Sequence, residues 1–412
     1  MNKKSADVQI NNDNLIRYLR SPISIRERCQ ELFDLSIAGK SRHFTVNLSQ
    51  LEAVADYVIA VSWENYPHLQ IPFHSRWQHF QAGGVFRLGK FDQKLAGLTP
   101  VEKAAIKFDL AVVSVLLDAG AGNNWRYFEQ ETNLSFGRSE GLAVASFQMF
   151  FQGNFSRDGS LQVDAAKLQT LTESELANGF QVSSENPLVG IKGRLSLLQK
   201  LGQVLVSAPH LFGEGKPRPG NLVNYLLAKS ENGQLAASTV LDAVLTGLGE
   251  IWPGRLEIAG INLGDVWFHQ DVSNGGLVPF HKLSQWLTYS LLEPLQELGL
   301  IITGLDQLTG LPEYRNGGLC LDLGLIIPKD SEILKLSHSV DSEVIIEWRA
   351  LTVILLDYIA ATVREKLEMS AEELPLVKVL QGGTWTAGRK IAAELRKGGV
   401  PPIQISSDGT VF

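Results

Sequence analysis

Apolar residues recur at helical spacing along most of this chain, whereas strand-like stretches are short, few and never alternate with the helices. That pattern excludes a doubly wound parallel sheet. It predicts a mostly α fold, α+β only in having a few short strands, with helices near residues 14–37, 49–62, 100–117, 139–152, 190–207, 220–228, 237–248, 281–299, 342–368, 370–380 and 385–397. Thr99-Pro100-Val101-Glu102 gives a strong start signal: a hydroxyl at the N-cap, proline at the first helical position and the glutamate of a capping box. Ser370-Ala371-Glu372-Glu373 fits a second box, and Pro294 should kink the helix that starts near His281. Strands are expected at 255–258, 266–268, 318–327 and 403–412. With no fixed-period repeat in 412 residues, the expectation is one large, mainly helical domain, its small β element formed by 255–271, 318–327 and 403–412.

Charge and cysteine content narrow the function classes. A net charge of -7 gives no reason to expect nucleic-acid binding. Two cysteines, Cys29 and Cys320, provide neither a disulfide framework nor a cysteine zinc site, which fits a reducing, cytoplasmic setting. The opening MNKKSADVQINND is too polar for a signal peptide. The most apolar helix, near residues 344–363, contains Glu347, Arg349 and Asp357, so it reads as a buried core helix and not as a membrane span. Its ionisable groups are expensive to bury unless paired with each other or with a ligand.

Several segments concentrate chemistry. In LLDAGAGNNWRYFE an apolar helix ends in Asp118, where a carboxylate faces the negative pole of the helix dipole, and Trp125, Arg126 and Tyr127 follow a glycine turn. Gly137-Arg138-Ser139-Glu140-Gly141 has the spacing of a nucleophile elbow, but the polar FEQETN before it is no buried strand. Ser139 reads more simply as a helix N-cap, with Arg138 at an anion-favouring helix mouth. Gly383-Thr384-Trp385-Thr386-Ala387-Gly388-Arg389-Lys390 approaches a phosphate loop, yet Arg and Lys stand where Lys and a hydroxyl are needed, so a capped helix beginning at Thr384 is preferred.

GDVWFHQD places Asp265, Trp267 and His269 on one face of a short strand, with Asp271 just beyond. This set could bind a small polar molecule or a metal, although His-x-Asp has no further histidine at a diagnostic spacing. In VPFHKLSQWLTYS, His281, Ser284, Gln285 and Thr288 share a helical face, and Lys282, Trp286 and Tyr289 lie on a neighbouring one, which suggests a ligand pocket. LTGLPEYRNGG packs Glu313, Tyr314 and Arg315 into a turn between glycines.

Taken together, LLDAGAGNNWRY, GRSEGLA, GDVWFHQD, VPFHKLSQWLTYSLLEP, LTGLPEYRNGGL and IQISSDGTVF resemble the uracil-catabolism family once known only as a domain of unknown function. The likeness runs in order along nearly the whole chain. Fungal members belong to a pyrimidine-degradation route through ribosylurea, which implies a step that breaks the bond from ribose to urea, in ribosylurea or its 5-phosphate. Glu313-Tyr314-Arg315 is also similar to the acid-Tyr-Arg turn of queuosine-salvage glycosidases, helical proteins with Asp at the first position.

Cleaving an N-glycosidic bond passes through an oxocarbenium-like sugar, so it needs a carboxylate near the anomeric carbon and a proton for the leaving nitrogen. Glu313 and Asp265 are the first candidates for that carboxylate and Asp118 the third, with His269 to protonate or orient the ureido group. Trp125, Trp267 and Trp286 are candidate pocket walls. For a phosphorylated substrate, Arg126, Arg138, Lys282 and Arg315 are candidate anchors. No cofactor is required, and a small molecule is the expected partner, without nucleic acid or membrane. Two other readings compete: attack on the ureido carbonyl by Ser139 or by a metal on His269 and Asp271, which would release ammonia, and non-catalytic binding of a pyrimidine breakdown product.

Overall fold

The computed structural model describes residues 12–118, 120–122, 124–252 and 255–406. Helix makes up 59% of it, and every described strand is two or three residues long and paired with one partner only, so the mostly helical expectation holds. Among the described residues no helix is long and apolar enough to cross a membrane. Contacts group these residues into two compact units, one from 12–74, 255–285 and 304–406, the other from 75–252 and 286–303.

In the first unit the core helix is Glu343–Leu367, started by Ser342, whose hydroxyl accepts from the Ile345 N–H, and packed against helices Pro22–Ile37 and Leu51–Asn65. Ser21 caps Pro22–Ile37 and Pro22 supplies its first residue, so the expected helix over 14–37 is two pieces, 12–19 and Pro22–Ile37. Helix Tyr314–Asp322 lies against Trp385–Leu395. A Cβ on Gly388 would sit 2.1 Å from the Arg315 carbonyl oxygen, so only glycine allows that approach.

Three expectations need correction here. Residues 318–327 are not one strand: Glu313 accepts from the Arg315 and Asn316 N–H groups and starts helix Tyr314–Asp322, leaving only Ile326–Pro328 as strand. The Ser370–Glu373 bonds form as expected, but Pro375 ends that turn, and helix resumes only at Leu376–Val379. Thr384 does not cap a new helix. It closes a π-helical turn, Leu380–Thr384, that runs straight into Trp385–Leu395, and its buried hydroxyl has no partner among the described residues.

The strands at 257–258, 266–268, 326–328 and 404–406 each belong to a separate two-stranded ladder. Glu257–Ile258 pairs with Ile261–Asn262, Val266–Phe268 with Leu277–Pro279, Ile326–Pro328 with Phe44–Val46, and Gln404–Ser406 with Ser337–Ser339. Residues 407–412 of the expected terminal strand lie outside the described residues.

The second unit centres on Pro100–Leu116, which carries the full Thr99–Glu102 capping box and packs against Arg138–Phe151 and Leu222–Lys229. Ser139 is not the N-cap of Arg138–Phe151. Gly137 is, and Arg138 opens the helix with φ +54°, a left-handed backbone that non-glycine residues seldom adopt. Pro294 lies inside helix Lys282–Glu297, which ends one turn later.

Candidate functional site

Asp265 is the hub of the first unit. Its carboxylate takes a two-pronged bond from Arg349, at 2.8 Å to each oxygen, together with the Trp267 indole N–H at 2.6 Å and the Lys282 backbone N–H at 3.0 Å. Burial alone would raise its pKa, but Arg349 and these donors outweigh burial and hold the group well below the usual carboxylate range. The carboxylate thus caps the start of Lys282–Glu297 from outside the helix. His281 reaches that start with φ +49° and is tied down through its ring Nε2 to the Leu19 carbonyl at 2.8 Å.

Gln285 then joins this helix start to the loop before Glu313. Its amide oxygen accepts from the Thr309 N–H at 2.9 Å, and its amide nitrogen donates to the Thr309 hydroxyl at 2.7 Å and the Phe280 carbonyl at 3.1 Å. At the end of that loop the buried Glu313 carboxylate accepts the backbone N–H groups of Arg315 at 2.6 Å and Asn316 at 2.7 Å. Burial raises its pKa above the ordinary glutamate value, opposed only in part by these N–H groups and by the charges of Lys282 and Arg315. Lys282 also lowers the pKa of buried His74, which burial takes down to about 4. His74 Nδ1 is 2.9 Å from the Gln381 amide oxygen, and the Gln381 amide donates to Tyr66 at 3.0 Å, so the π-helical turn orients the imidazole. The Arg315 guanidinium donates to the Gly399 carbonyl at 2.8 Å and lies 5.0 Å from the Tyr314 ring.

His269 and Asp271 stand apart in the same unit. The His269 Nδ1 accepts the Asp271 backbone N–H at 3.2 Å, so the neutral ring carries its proton on Nε2, and burial lowers its pKa. Arg42 engages both carboxylate oxygens of Asp271, at 2.7 and 3.2 Å. The Arg255 guanidinium covers the Trp267 ring at 5.1 Å.

The second unit holds a different cluster. Asp118 receives the Ser139 hydroxyl on both oxygens, at 2.7 and 2.8 Å, and pairs with Arg76 at 3.0 Å. Ser139 therefore donates to a carboxylate, whereas a hydrolase nucleophile would donate to a histidine base. Trp286 faces the Arg76 guanidinium at 5.5 Å and the His79 ring at 5.6 Å. Trp125 and Tyr127 are buried, the first donating its indole N–H to the Phe180 carbonyl at 2.9 Å, the second paired with Phe136 in a ladder. Arg126 donates to the Trp125 carbonyl at 2.7 Å, and Arg138 is exposed. A surface cavity of about 490 Å³ lies between Arg157–Gln169 and Gly215–Arg218, where Arg157 pairs with Asp164, and Arg218 with buried Asp109.

Comparison with known proteins places this chain in a family. A family model described as "Protein of unknown function (DUF1688)" matches residues 18–412. The chain belongs to that family. Uracil catabolism protein 4 of Lachancea kluyveri is 41% identical, over 97% of this chain and 99% of the relative. Protein urg3 of Schizosaccharomyces pombe is 40% identical, over 94% of this chain and 96% of the relative. The resemblance read from the motifs is the one that these relatives carry.

Within the DUF1688 chain, Asp265 holds the Lys282 N–H, Lys282 acts on Glu313 as a charge, and Gln285 bonds the loop that leads to Glu313, all in the first unit, whereas Asp118 and Trp286 gather around Arg76 in the second. Arg76, His79, His74 and Gln381 were missed by sequence reasoning. The stretch HSRWQHF, with two histidines and an arginine among aromatics, was the available signal for three of them.

Proposed function

We propose that this DUF1688 chain acts in uracil catabolism as an N-glycosidase, releasing urea from ribosylurea or from its 5-phosphate. The relative named Uracil catabolism protein 4 supports the pathway. The observation that carries the chemistry is the Glu313 carboxylate: buried, held by two peptide N–H groups, and raised in pKa by its burial, which those N–H groups and the charges of Lys282 and Arg315 offset only in part. A desolvated carboxylate gains most when a positive charge develops beside it, as at the anomeric carbon of an oxocarbenium-like sugar. In the reaction the C–N bond breaks with its electron pair going to the ureido nitrogen, and water adds to the anomeric carbon. Glu313 takes the proton from that water and returns one to the departing nitrogen, a task suited to a carboxyl whose pKa is moved toward neutrality. The products are urea and ribose, or ribose 5-phosphate. Lys282, anchored by Asp265, supplies the positive charge that keeps Glu313 ionisable despite its burial.

The test is to incubate chelator-treated protein with ribosylurea and with its 5-phosphate, assaying urea and ammonia separately. Urea release that disappears in Glu313→Gln is the expected result. Ammonia as the product would replace this reading with carbonyl hydrolysis, and binding without either product would leave a non-catalytic binding protein.

A further inference from the structure

We propose that Arg26, itself held by Asp357, is a positioning residue for Glu313: it fixes the buried loop that sets where the Glu313 carboxylate stands. Every residue concerned belongs to the first unit. The inference rests on the preceding reading of Glu313 and adds what keeps that group in place.

Leu308 to Glu313 form no helix or strand, and all six residues are buried. Irregular backbone is normally kept at the surface, because a buried loop leaves peptide groups without partners. Here side chains supply them. Arg26, on helix Pro22–Ile37, donates through Nη1 to the Gln307 carbonyl at 2.8 Å and through Nη2 to the Leu308 carbonyl at 2.7 Å. At the next residue Gln285 takes the Thr309 N–H at 2.9 Å. Gly310 then runs so close to the core helix Glu343–Leu367 that a Cβ would sit 2.6 Å from the Leu356 side chain. The Leu311 carbonyl accepts the Glu313 N–H at 2.9 Å and the Asn316 side-chain amide at 3.0 Å. Each residue from Gln307 to Leu311 is thus tied down before the chain reaches Glu313.

The core helix contributes twice. One residue beyond Leu356, Asp357 aims the guanidinium, accepting from Nε at 2.8 Å and from Nη2 at 3.3 Å. With one edge of its planar fork on that carboxylate, Arg26 presents the remaining donors to two successive carbonyls, which it can do only while the loop keeps one conformation. A lysine ammonium in its place would keep the charge and lose that geometry. A carboxylate facing a developing positive charge accelerates the reaction only if it is already in place, so a fixed loop before Glu313 acts on turnover and not merely on folding.

Arg26→Lys tests this. It should lower kcat for urea release by about tenfold to a hundredfold with KM little changed. Water reaches a loosened Glu313 while Lys282 and Arg315 keep their charges, so the ascending limb of kcat/KM should move to the acid side, toward the ordinary glutamate value. A contact that served folding alone would lower the melting temperature and leave kcat and the limb in place, and that result would overturn the inference. Asp357→Asn, which keeps the carbonyl bonds but weakens the aim, should show the same changes at smaller size. It decides the question if Arg26→Lys fails to fold by circular dichroism. Should the parent protein release no urea, the glycosidase reading falls, and Glu313 is then followed without turnover. The stability difference between each protein and its Glu313→Gln form, measured against pH, gives the Glu313 midpoint, which should drop in Arg26→Lys. An unmoved midpoint in the folded variant overturns the inference whether or not urea is released.

Discussion

Asp265, part-buried, and Glu313, buried, are both carboxylates that accept peptide N–H groups at the start of a helix, yet one is held far below the usual carboxylate range and the other is pushed above it. The difference is Arg349. Its two-pronged bond neutralises Asp265 on the spot, so that carboxylate is committed to the fold and has little left to offer a new charge. Among the described residues the Glu313 carboxylate takes its bonds from peptide N–H groups, with Lys282 and Arg315 acting as charges nearby. The same element of structure, an acid at a helix start, thus serves in one place as a fastener and in the other as a group that a developing cation can use. The two are connected, because the Asp265 network fixes the first residue of the helix from which Lys282 acts on Glu313.

The largest expected effect follows from the second of these roles. Glu313→Gln should lower urea release by about 10²–10⁴-fold, because the amide cannot balance a positive charge or carry the proton. Its single amide oxygen can accept only one of the Arg315 and Asn316 N–H groups, which the carboxylate takes on separate oxygens, so some stability is lost while circular dichroism should still show the helical fold. A loss of less than threefold would remove Glu313 from the chemistry. Asp265→Asn should show the opposite pattern: a stability loss of about 3–5 kcal/mol in guanidinium unfolding, since Arg349 is left buried beside a neutral amide. Arg349→Met added to it should recover part of that loss. If Asp265→Asn instead leaves stability intact and abolishes turnover, the two carboxylates have been assigned the wrong way round.

The sequence made the helices legible because capping and periodicity are local: Thr99-Pro100-Val101-Glu102 forms the box that its residues specify. The partners demanded by Glu347, Arg349 and Asp357 also exist, though none could be named beforehand. They are the His43 and Phe44 N–H groups, Asp265, and Arg26, each separated in sequence by 84 residues or more. Residues 318–327 misled because Gly317 and Gly318 resemble the approach to a strand, whereas they are places where Trp348 and Pro402 press on a helix. Gly383 to Lys390 was rightly refused as a phosphate loop, and the error there was only the cap at Thr384, through which the helix runs. Its glycines serve close packing against Val58 and the Arg315 backbone. Glu313 was identifiable as an acid in a specialised turn. What set it apart from Asp265 was the position of Arg349, which only the fold supplies.

That packing gives the third and smaller test. Gly388→Ala would place a Cβ 2.1 Å from the Arg315 carbonyl oxygen, so the helix that Glu313 starts has to shift. The cost expected for such overpacking is about 1–3 kcal/mol in guanidinium unfolding. Turnover should fall with KM little changed, because the displaced group acts on the transition state. Unaltered stability would show that the turn is held elsewhere, with the Gln285–Thr309 bonds the next to remove.

The finest distinction between the two acids is their response to pH. Glu313 must be ionised to act, and burial raises its pKa, so kcat/KM should rise with pH through a midpoint above the ordinary glutamate value. Stability runs the other way. A carboxyl with a raised pKa in the fold favours its protonated form there, so its contribution is complete below the unfolded pKa and is lost as pH rises through the folded one. Glu313→Gln should therefore gain melting temperature relative to the parent as pH increases, while the parent gains activity over the same interval. Asp265, held low, contributes stability above the ordinary aspartate value that is lost only on acidification, so Asp265→Asn should differ least from the parent at the acid end. Replacing Lys282 with Met removes a charge that lowers the Glu313 pKa, and the ascending limb should move further to the alkaline side. A limb that stays in place would mean that the limb reports a group other than Glu313.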